Sequence, residues 1–327
     1  MVERFQCVCW LVPVLTLVAG FAAVPEASAP ERKALEYLAR EVPLWSKVHG
    51  CYSCHNNGDA ARALFEAMKR PGSFNADVPE SAVADTTKWL SSPERWDHNG
   101  GEGPFSDKIL ARVQFASALA SATKSGLIST RLPLDRAAER LAQDQVADGS
   151  WPIDDGENAT GSPAAYGSPL ATLSARDTLE YADPVRYREP VAKAERLLFS
   201  RKIENVMDAS VALLASFASK DAEAKAIHRQ ALKVLRSGQS TEGGWGPFVN
   251  APPEPFDTAL AVLALARLVP DDDIRDRIKR GRAFLIVTQH ADGSWRETTR
   301  PAGAESYAQR LSTTGWATLA LLQSLPR

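Results

Sequence analysis

Three stretches of this chain repeat one spacing. They are Leu141-Ala-Gln-Asp-Gln145-Val-Ala-Asp-Gly149-Ser-Trp151, Leu235-Arg-Ser-Gly-Gln239-Ser-Thr-Glu-Gly243-Gly-Trp245 and Leu285-Ile-Val-Thr-Gln289-His-Ala-Asp-Gly293-Ser-Trp295. In each, Leu stands four residues before Gln, Gly four after it and Trp six after it. An internal repeat decides the architecture before any single residue does, because each unit must bury its apolar face against the next.

The flanks of the repeats agree with one another. Upstream of each Gln lies a charged, helical stretch, such as 222–235 or 273–287. Downstream comes a run of small and apolar residues, as in Asp257-Thr-Ala-Leu-Ala-Val-Leu-Ala-Leu and Thr314-Gly-Trp-Ala-Thr-Leu-Ala-Leu-Leu. A stretch that is apolar nearly all round is a helix buried on most sides. No sustained period-two alternation argues for a sheet.

The repeated turn resembles the QW repeat of the squalene cyclase and protein prenyltransferase superfamily. That resemblance implies an all-α fold, an α/α toroid in which each outer helix, turn and inner helix forms one unit. Two further pairs, 192–199 with 208–217 and 82–90 with 108–123, fit without the full motif, and 33–45 with 60–69 makes the first. The expected total is about six outer–inner pairs, starting near residues 31, 77, 132, 187, 222 and 272, as a single domain over 30–327. The likeness is clear from about residue 130 onward and weaker before it.

A second signal is the pentapeptide Cys51-Tyr-Ser-Cys54-His55, the C-x-x-C-H spacing of covalent haem attachment. It implies one haem c, held through Cys51 and Cys54, with His55 as an axial ligand to the iron. A disulfide or free thiols at the two cysteines is the alternative. Aligned with the later repeats, the motif falls at the first turn, on a rim of the toroid, with Asn56-Asn57-Gly58-Asp59 reading as turn and cap chemistry for the helix that follows. His98, in the next turn, is the candidate sixth ligand, against a solvated loop histidine. Met68 reads as core, and His49 is too close to Cys51 to reach the opposite haem face.

The family likeness also raises terpenoid chemistry. Squalene-hopene-type cyclases carry D-x-D-D-T-A at the start of an inner helix, and its middle acid protonates the substrate alkene. The matching stretch is Glu254-Pro-Phe256-Asp257-Thr258-Ala259. Phe256 replaces the proton donor, which argues against an enzyme. Asp257 is the weak catalytic candidate, against a capping role shared with Asp208, Ser312 and Thr313. The acid pair Asp154-Asp155 reads as turn-forming. No zinc or magnesium site is expected; the zinc of the resembled prenyltransferases uses Asp, Cys and His, and no cysteine is left over in the toroid for it. Tyr166, Phe256 and Trp316 read as packing or as cavity lining.

The formal net charge is −2 and no basic run is present, so nucleic acid is an unsuitable partner. An apolar run from about Cys7 to Val24, followed by Ala27-Ser28-Ala29, reads as a signal peptide over 1–29 or as an uncleaved N-terminal anchor. A membrane is a partner only in the second case. The resulting expectation is an exported, periplasmic, monohaem cytochrome-like protein on a toroid scaffold, serving electron transfer or redox-linked binding with a redox partner protein. Its alternatives are a terpenoid cyclase- or prenyltransferase-like enzyme acting on an apolar substrate, and a non-catalytic toroid that binds a small molecule.

Overall fold

The computed structural model describes residues 29–69, 77–98, 108–153, 167–298 and 306–325. Over these residues helices alternate in pairs: α1 (Ala29–His49) with α2 (Ala61–Met68), α3 (Ala84–Leu90) with α4 (Lys108–Lys124), and α5 (Leu132–Asp144) with α6 (Gly167–Ala182). They continue as α7 (Arg188–Ser200) with α8 (Val206–Ser216), α9 (Ala222–Gly238) with α10 (Pro255–Ala266), and α11 (Asp272–Thr288) with α12 (Tyr307–Gln323). The six expected pairs are all present. The predicted signal segment, Asp154, Asp155 and Tyr166 lie outside the described residues. No described helix is long and apolar enough to cross a membrane.

Composition separates the two layers. In outer helix α9 the buried positions Ala224, Ile227, Ala231 and Leu235 form one stripe, and the other faces are charged. In inner helix α10 every residue from Phe256 to Leu265 is buried. Asp221, Asp271 and Asn205 cap α9, α11 and α8 by accepting hydrogen bonds from backbone N–H groups of the first turn.

The repeated Leu, Gln, Gly and Trp each hold a specific bond. The indole N–H of Trp151, Trp245 and Trp295 donates to the carbonyl of Leu141, Leu235 and Leu285 at 2.7–2.8 Å. Their backbone N–H groups donate to Thr172, Thr258 and Thr314 of the following inner helix. Each Gln amide donates twice, to its own turn glycine and to the next outer helix: Gln145 to Gly149 and Pro190, Gln239 to Gly243 and Arg277. The glycines have φ between +92° and +96°, and a Cβ at Gly293 would stand 2.1 Å from the Lys33 carbonyl oxygen, so backbone packs directly on backbone.

The third of these turns closes the ring. Gln289 donates to Gly293 and to Pro30 at the start of α1, so the last pair meets the first through the same bond that joins the others. Arg282 on α11 pairs with the fully buried Glu31 at 2.7 Å. Tyr307 at the start of α12 donates to Glu41 and stacks on Trp45 of α1.

Two sequence expectations change here. Ser312 and Thr313 do not cap α12, which begins at Tyr307; they lie inside it and are buried. The first turn also differs. Asn56 to Asp59 are not a loop: Cys54–Ala60 forms a buried π-helical turn, capped by Ser53 and continuous with α2. Packing imposes this. Gly58 lets the turn approach α4 so closely that a Cβ would stand 2.9 Å from Cβ of Gln114. Gly315 does the same for α12 against the backbone of Asp59 and Ala60. The Asn56 and Asn57 side chains, which read as turn formers, instead donate to the Glu41 and Val42 carbonyls and to Tyr307 and Thr86.

Candidate active site

The inward faces of α2, α4 and α12 meet at one carboxylate. Asp59, whose side chain is wholly buried, sits at the end of the π-helical turn. Its Oδ2 accepts from Gln114 Nε2 at 2.7 Å, Ser312 Oγ at 3.0 Å and Trp316 Nε1 at 3.3 Å. Its Oδ1 has no hydrogen-bond partner among the described residues, and the nearest cation is Arg62 Nη1 at 3.8 Å. Arg62 in turn lies over the Trp316 ring, 4.7 Å from its centroid.

Burial pushes the Asp59 carboxyl up to about 6, against the opposing pull of Arg62 and of the three donors. The two oxygens are therefore unequal. Oδ2 is saturated, which leaves Oδ1 as the oxygen that carries the proton. When that proton leaves, the resulting carboxylate already has three donors around it, the preorganisation that strengthens a general acid.

His55 stands four residues earlier on the same wall. Its Nδ1 is 3.4 Å from Ser312 Oγ, and its Nε2 is 3.8 Å from Cys54 Sγ. Ser312 thus bridges His55 and Asp59. The pentapeptide is only partly the turn that the repeat alignment implies: Cys51 to Ser53 lie half-buried between α1 and the π-helical turn, whereas Cys54 and His55 are each 7% exposed and form part of the inner wall. Tyr52 stacks on Trp89. Covalent attachment of a haem at Cys54 would require this wall to open. His98 is exposed at the end of a 3-10 turn, Pro93–His98, whose Pro93 and Trp96 are buried. Met68 packs at the margin of the core.

Asp257 is buried in the first turn of α10, where Glu254 occupies the cap position. Asp208 does serve its helix end, accepting from Glu204 N–H at 3.2 Å. Phe256 packs edge-on against Trp316, with centroids 6.5 Å apart. The acid at the wall is therefore contributed by the turn leading into α2, with α12 between it and α10, where the motif match places the acid. Sequence reading missed Asp59, Arg62, Gln114 and Ser312. The available signal was a lone acid four residues after His55, followed by a small and apolar run broken only by Arg62 and Glu66.

Above Asp59 a cavity of about 430 Å³ opens toward the C-terminal ends of the inner helices. Arg62 and Trp316 line it, so they form its floor over the acid. Its wall includes Leu173, Leu214, Leu263 and Leu319.

The profile of the squalene-hopene cyclase C-terminal domain matches residues 182–325. The fold is that of the terpenoid cyclase toroids. A type II terpene cyclase from Scytonema superposes with TM-score 0.57 over 91% of this chain and 99% of that one, at 12% identity. A variant of that enzyme is known in complex with geranylgeranyl dihydroxybenzoate as its substrate. A drimenyl diphosphate synthase from Streptomyces showdoensis is 34% identical over 108 residues, 32% of this chain and 20% of the synthase. The chain thus matches only about a fifth of that curated relative's length. A polysaccharide lyase shares the toroid equally well, with TM-score 0.57, 12% identity and coverage of 90% and 96%, so architecture alone does not select a reaction.

These relatives correct the cytochrome-like expectation. They are named as terpene cyclases and a drimenyl diphosphate synthase, and Cys54 and His55 of the pentapeptide that suggested electron transfer are packed into the inner wall.

Proposed function

We propose that this chain is a terpenoid-cyclase-like enzyme that isomerises a substrate with a prenyl chain, using Asp59 as its general acid. The observation that carries the reading is the buried Asp59 carboxyl, with three donors on one oxygen and none on the other. Its position beneath the cavity floor formed by Arg62 and Trp316 supports it, as does the similarity to enzymes named for such chemistry.

In this reading the proton moves from Oδ1 to a carbon of the substrate's terminal alkene. The neighbouring double bond then attacks the cation, forming a ring C–C bond. Loss of a proton from the final cation regenerates an alkene, so product and substrate are isomers. The proton lost from the final cation restores the Asp59 carboxylic acid, and Ser312 bridges that carboxyl to His55. In the structure Arg62 covers both the acid and the Trp316 face. Substrate entry requires that guanidinium to swing away, which frees the indole π-face for a carbocation.

The test is incubation of the purified protein with short-chain prenyl diphosphates and prenylated aromatic acids, followed by mass-resolved product analysis. The expected product has the mass of the substrate and one or more additional rings. Asp59→Asn is expected to lose roughly 10²- to 10⁴-fold in turnover. Turnover that survives Asp59→Asn but is lost in Asp257→Asn would show that the acid is misassigned; no product from any prenylated substrate would overturn the reading.

A further inference from the structure

Two side chains of the pentapeptide carry chemistry that the cyclase reading leaves unused. Cys51 and Cys54 are not joined in a disulfide. Cys51 is half-buried, whereas Cys54 is 7% exposed. The two residues between them are held by contacts that involve neither sulfur. The Tyr52 ring stacks on Trp89, with centroids 4.3 Å apart and planes 7° apart. The Ser53 N–H donates to Asn57 Oδ1 at 3.1 Å, and the Ser53 hydroxyl accepts from the His55 N–H at 3.2 Å. The spacing is therefore presented on a fixed loop, with one thiol partly open and the other buried. Among the described residues, no third histidine, cysteine or carboxylate joins the pair to make a metal-binding group. A partly exposed cysteine beside a resolving one is the arrangement of a redox-active dithiol.

The neighbouring hydrogen bonds fix how the buried thiol loses its proton. Ser312 Oγ donates to Asp59 Oδ2 at 3.0 Å. Its one hydroxyl hydrogen is thereby committed, so toward His55 Nδ1, 3.4 Å away, Ser312 Oγ can only accept. The neutral imidazole then carries its hydrogen on Nδ1 and leaves Nε2 as an acceptor. Nε2 is the nitrogen beside Cys54 Sγ, at 3.8 Å. One imidazole thus stands as a base for Cys54 and is tied through Ser312 to Asp59. Cys54 is also the first residue of the buried π-helical turn that carries Asp59. That turn has no slack: a Cβ at Gly58 would stand 2.9 Å from Cβ of Gln114, and one at Gly315 would stand 2.9 Å from the Asp59 carbonyl oxygen.

We infer that Cys51 and Cys54 form a thiol–disulfide exchange site that closes on reaction with small-molecule disulfides and displaces Asp59 as it does so. Cys51, as thiolate, attacks one sulfur of the incoming disulfide. That S–S bond breaks, a mixed disulfide forms on Cys51, and the departing thiolate takes up the proton that Cys51 released. Cys54 then passes its proton to His55 Nε2 and attacks the Cys51 sulfur. The second reagent thiolate leaves with the proton from His55. The two protein thiols are oxidised to one disulfide, and one reagent disulfide is reduced to two thiols. Closure requires the two Cβ atoms to come within roughly 4 Å of each other. It turns Cys54 Sγ away from His55 and pulls on the first residue of the turn that bears Asp59. In a close-packed interior such a displacement is transmitted rather than absorbed. The exchange site stands independently of the cyclase reading, whereas its effect on turnover rests on that reading.

The experiment treats the reduced full chain with glutathione disulfide and follows one tryptic fragment by mass. Cleavage after Lys47 and Arg62 releases residues 48–62, which contain Cys51 and Cys54 and no other cysteine. Wild type is expected to lose both thiol hydrogens from this fragment and to keep no glutathione on it. Cys54→Ser should stop at a mixed disulfide on Cys51. Cys51→Ser should react about tenfold or more slowly, because its remaining thiol is buried. His55→Gln should take up glutathione on Cys51 at the wild-type rate and close about tenfold or more slowly, since closure lacks its base. A wild type that does not react or that retains glutathione on Cys51, or a Cys51→Ser variant that reacts as fast as wild type, would overturn the exchange site. Turnover of the closed form is expected to fall about tenfold or more and to return on reduction with dithiothreitol, while the same treatment leaves turnover of Cys51→Ser unchanged. Equal turnover of closed and open wild type would overturn the link to Asp59. Closure without turnover in either state would retain the exchange site and sink the cyclase reading instead.

Discussion

At the scale of single residues, Asp59 converts burial into a measurable pH dependence. Its folded carboxyl, near 6, lies above the ordinary value of 3.8. The folded state therefore binds the proton more tightly, and the stabilisation is complete below about pH 4 and lost as pH rises through 6. The shift corresponds to about 3 kcal/mol. Denaturant unfolding of wild type and Asp59→Asn at pH 4 and pH 8 should show their stability difference changing by about that amount, with the wild type relatively weaker at pH 8; parallel curves would exclude the assigned shift. Ser312→Ala should leave the fold intact while moving the pH profile of turnover, because it separates His55 from Asp59. None of this was legible beforehand. Asn56, Asn57, Gly58 and Asp59 are the residue types of a turn, and local chemistry read them so. Their helical state is imposed from outside, by Gly58 against Gln114, Gly315 against Asp59, and asparagine bonds into α1 and α3.

At the scale of elements, the repeated turn was legible because each of its positions makes a bond that no other residue type replaces. Gln supplies two donors, Trp a buried N–H, and Gly a left-handed backbone with no Cβ. The same reasoning separates two glycines that look alike in sequence. Gly50 has φ +65° and open space where a Cβ would lie; Gly293 has φ +94° and the Lys33 carbonyl there. Gly50→Ala should cost about 1 kcal/mol, and Gly293→Ala about 3 kcal/mol or more, as read by thermal or denaturant unfolding. The pairs without the motif were assigned from helix patterning alone, and their joints use other chemistry. Asp97 accepts from both Arg112 and Arg140, tying the second pair to the third. A salt-bridged joint of this kind has no fixed spacing, which is why the early repeats were fainter than the late ones.

At the scale of the whole molecule, the structure resolves what architecture could and could not decide. The six-pair ring followed from three turns, but one ring serves terpene cyclases and a polysaccharide lyase alike, so function rests on what lines the lumen. The ring's integrity depends on the contact between its last and first pairs. Glu31→Gln leaves Arg282 facing a neutral partner in a buried setting and should cost about 3 kcal/mol, whereas exposed pairs such as Lys202 with Glu204 should change stability by less than about 1 kcal/mol. The bond from Gln289 to Pro30 has a further consequence. It has the same chemistry as Gln145 to Pro190, yet it spans 259 residues of chain where the other spans 45. Bringing those distant segments together carries about 1.5 kcal/mol more closure entropy. Equal bonds are thus unequal seams: assembly should run from neighbour to neighbour around the circle, and this seam should be the last to zip and the first to part.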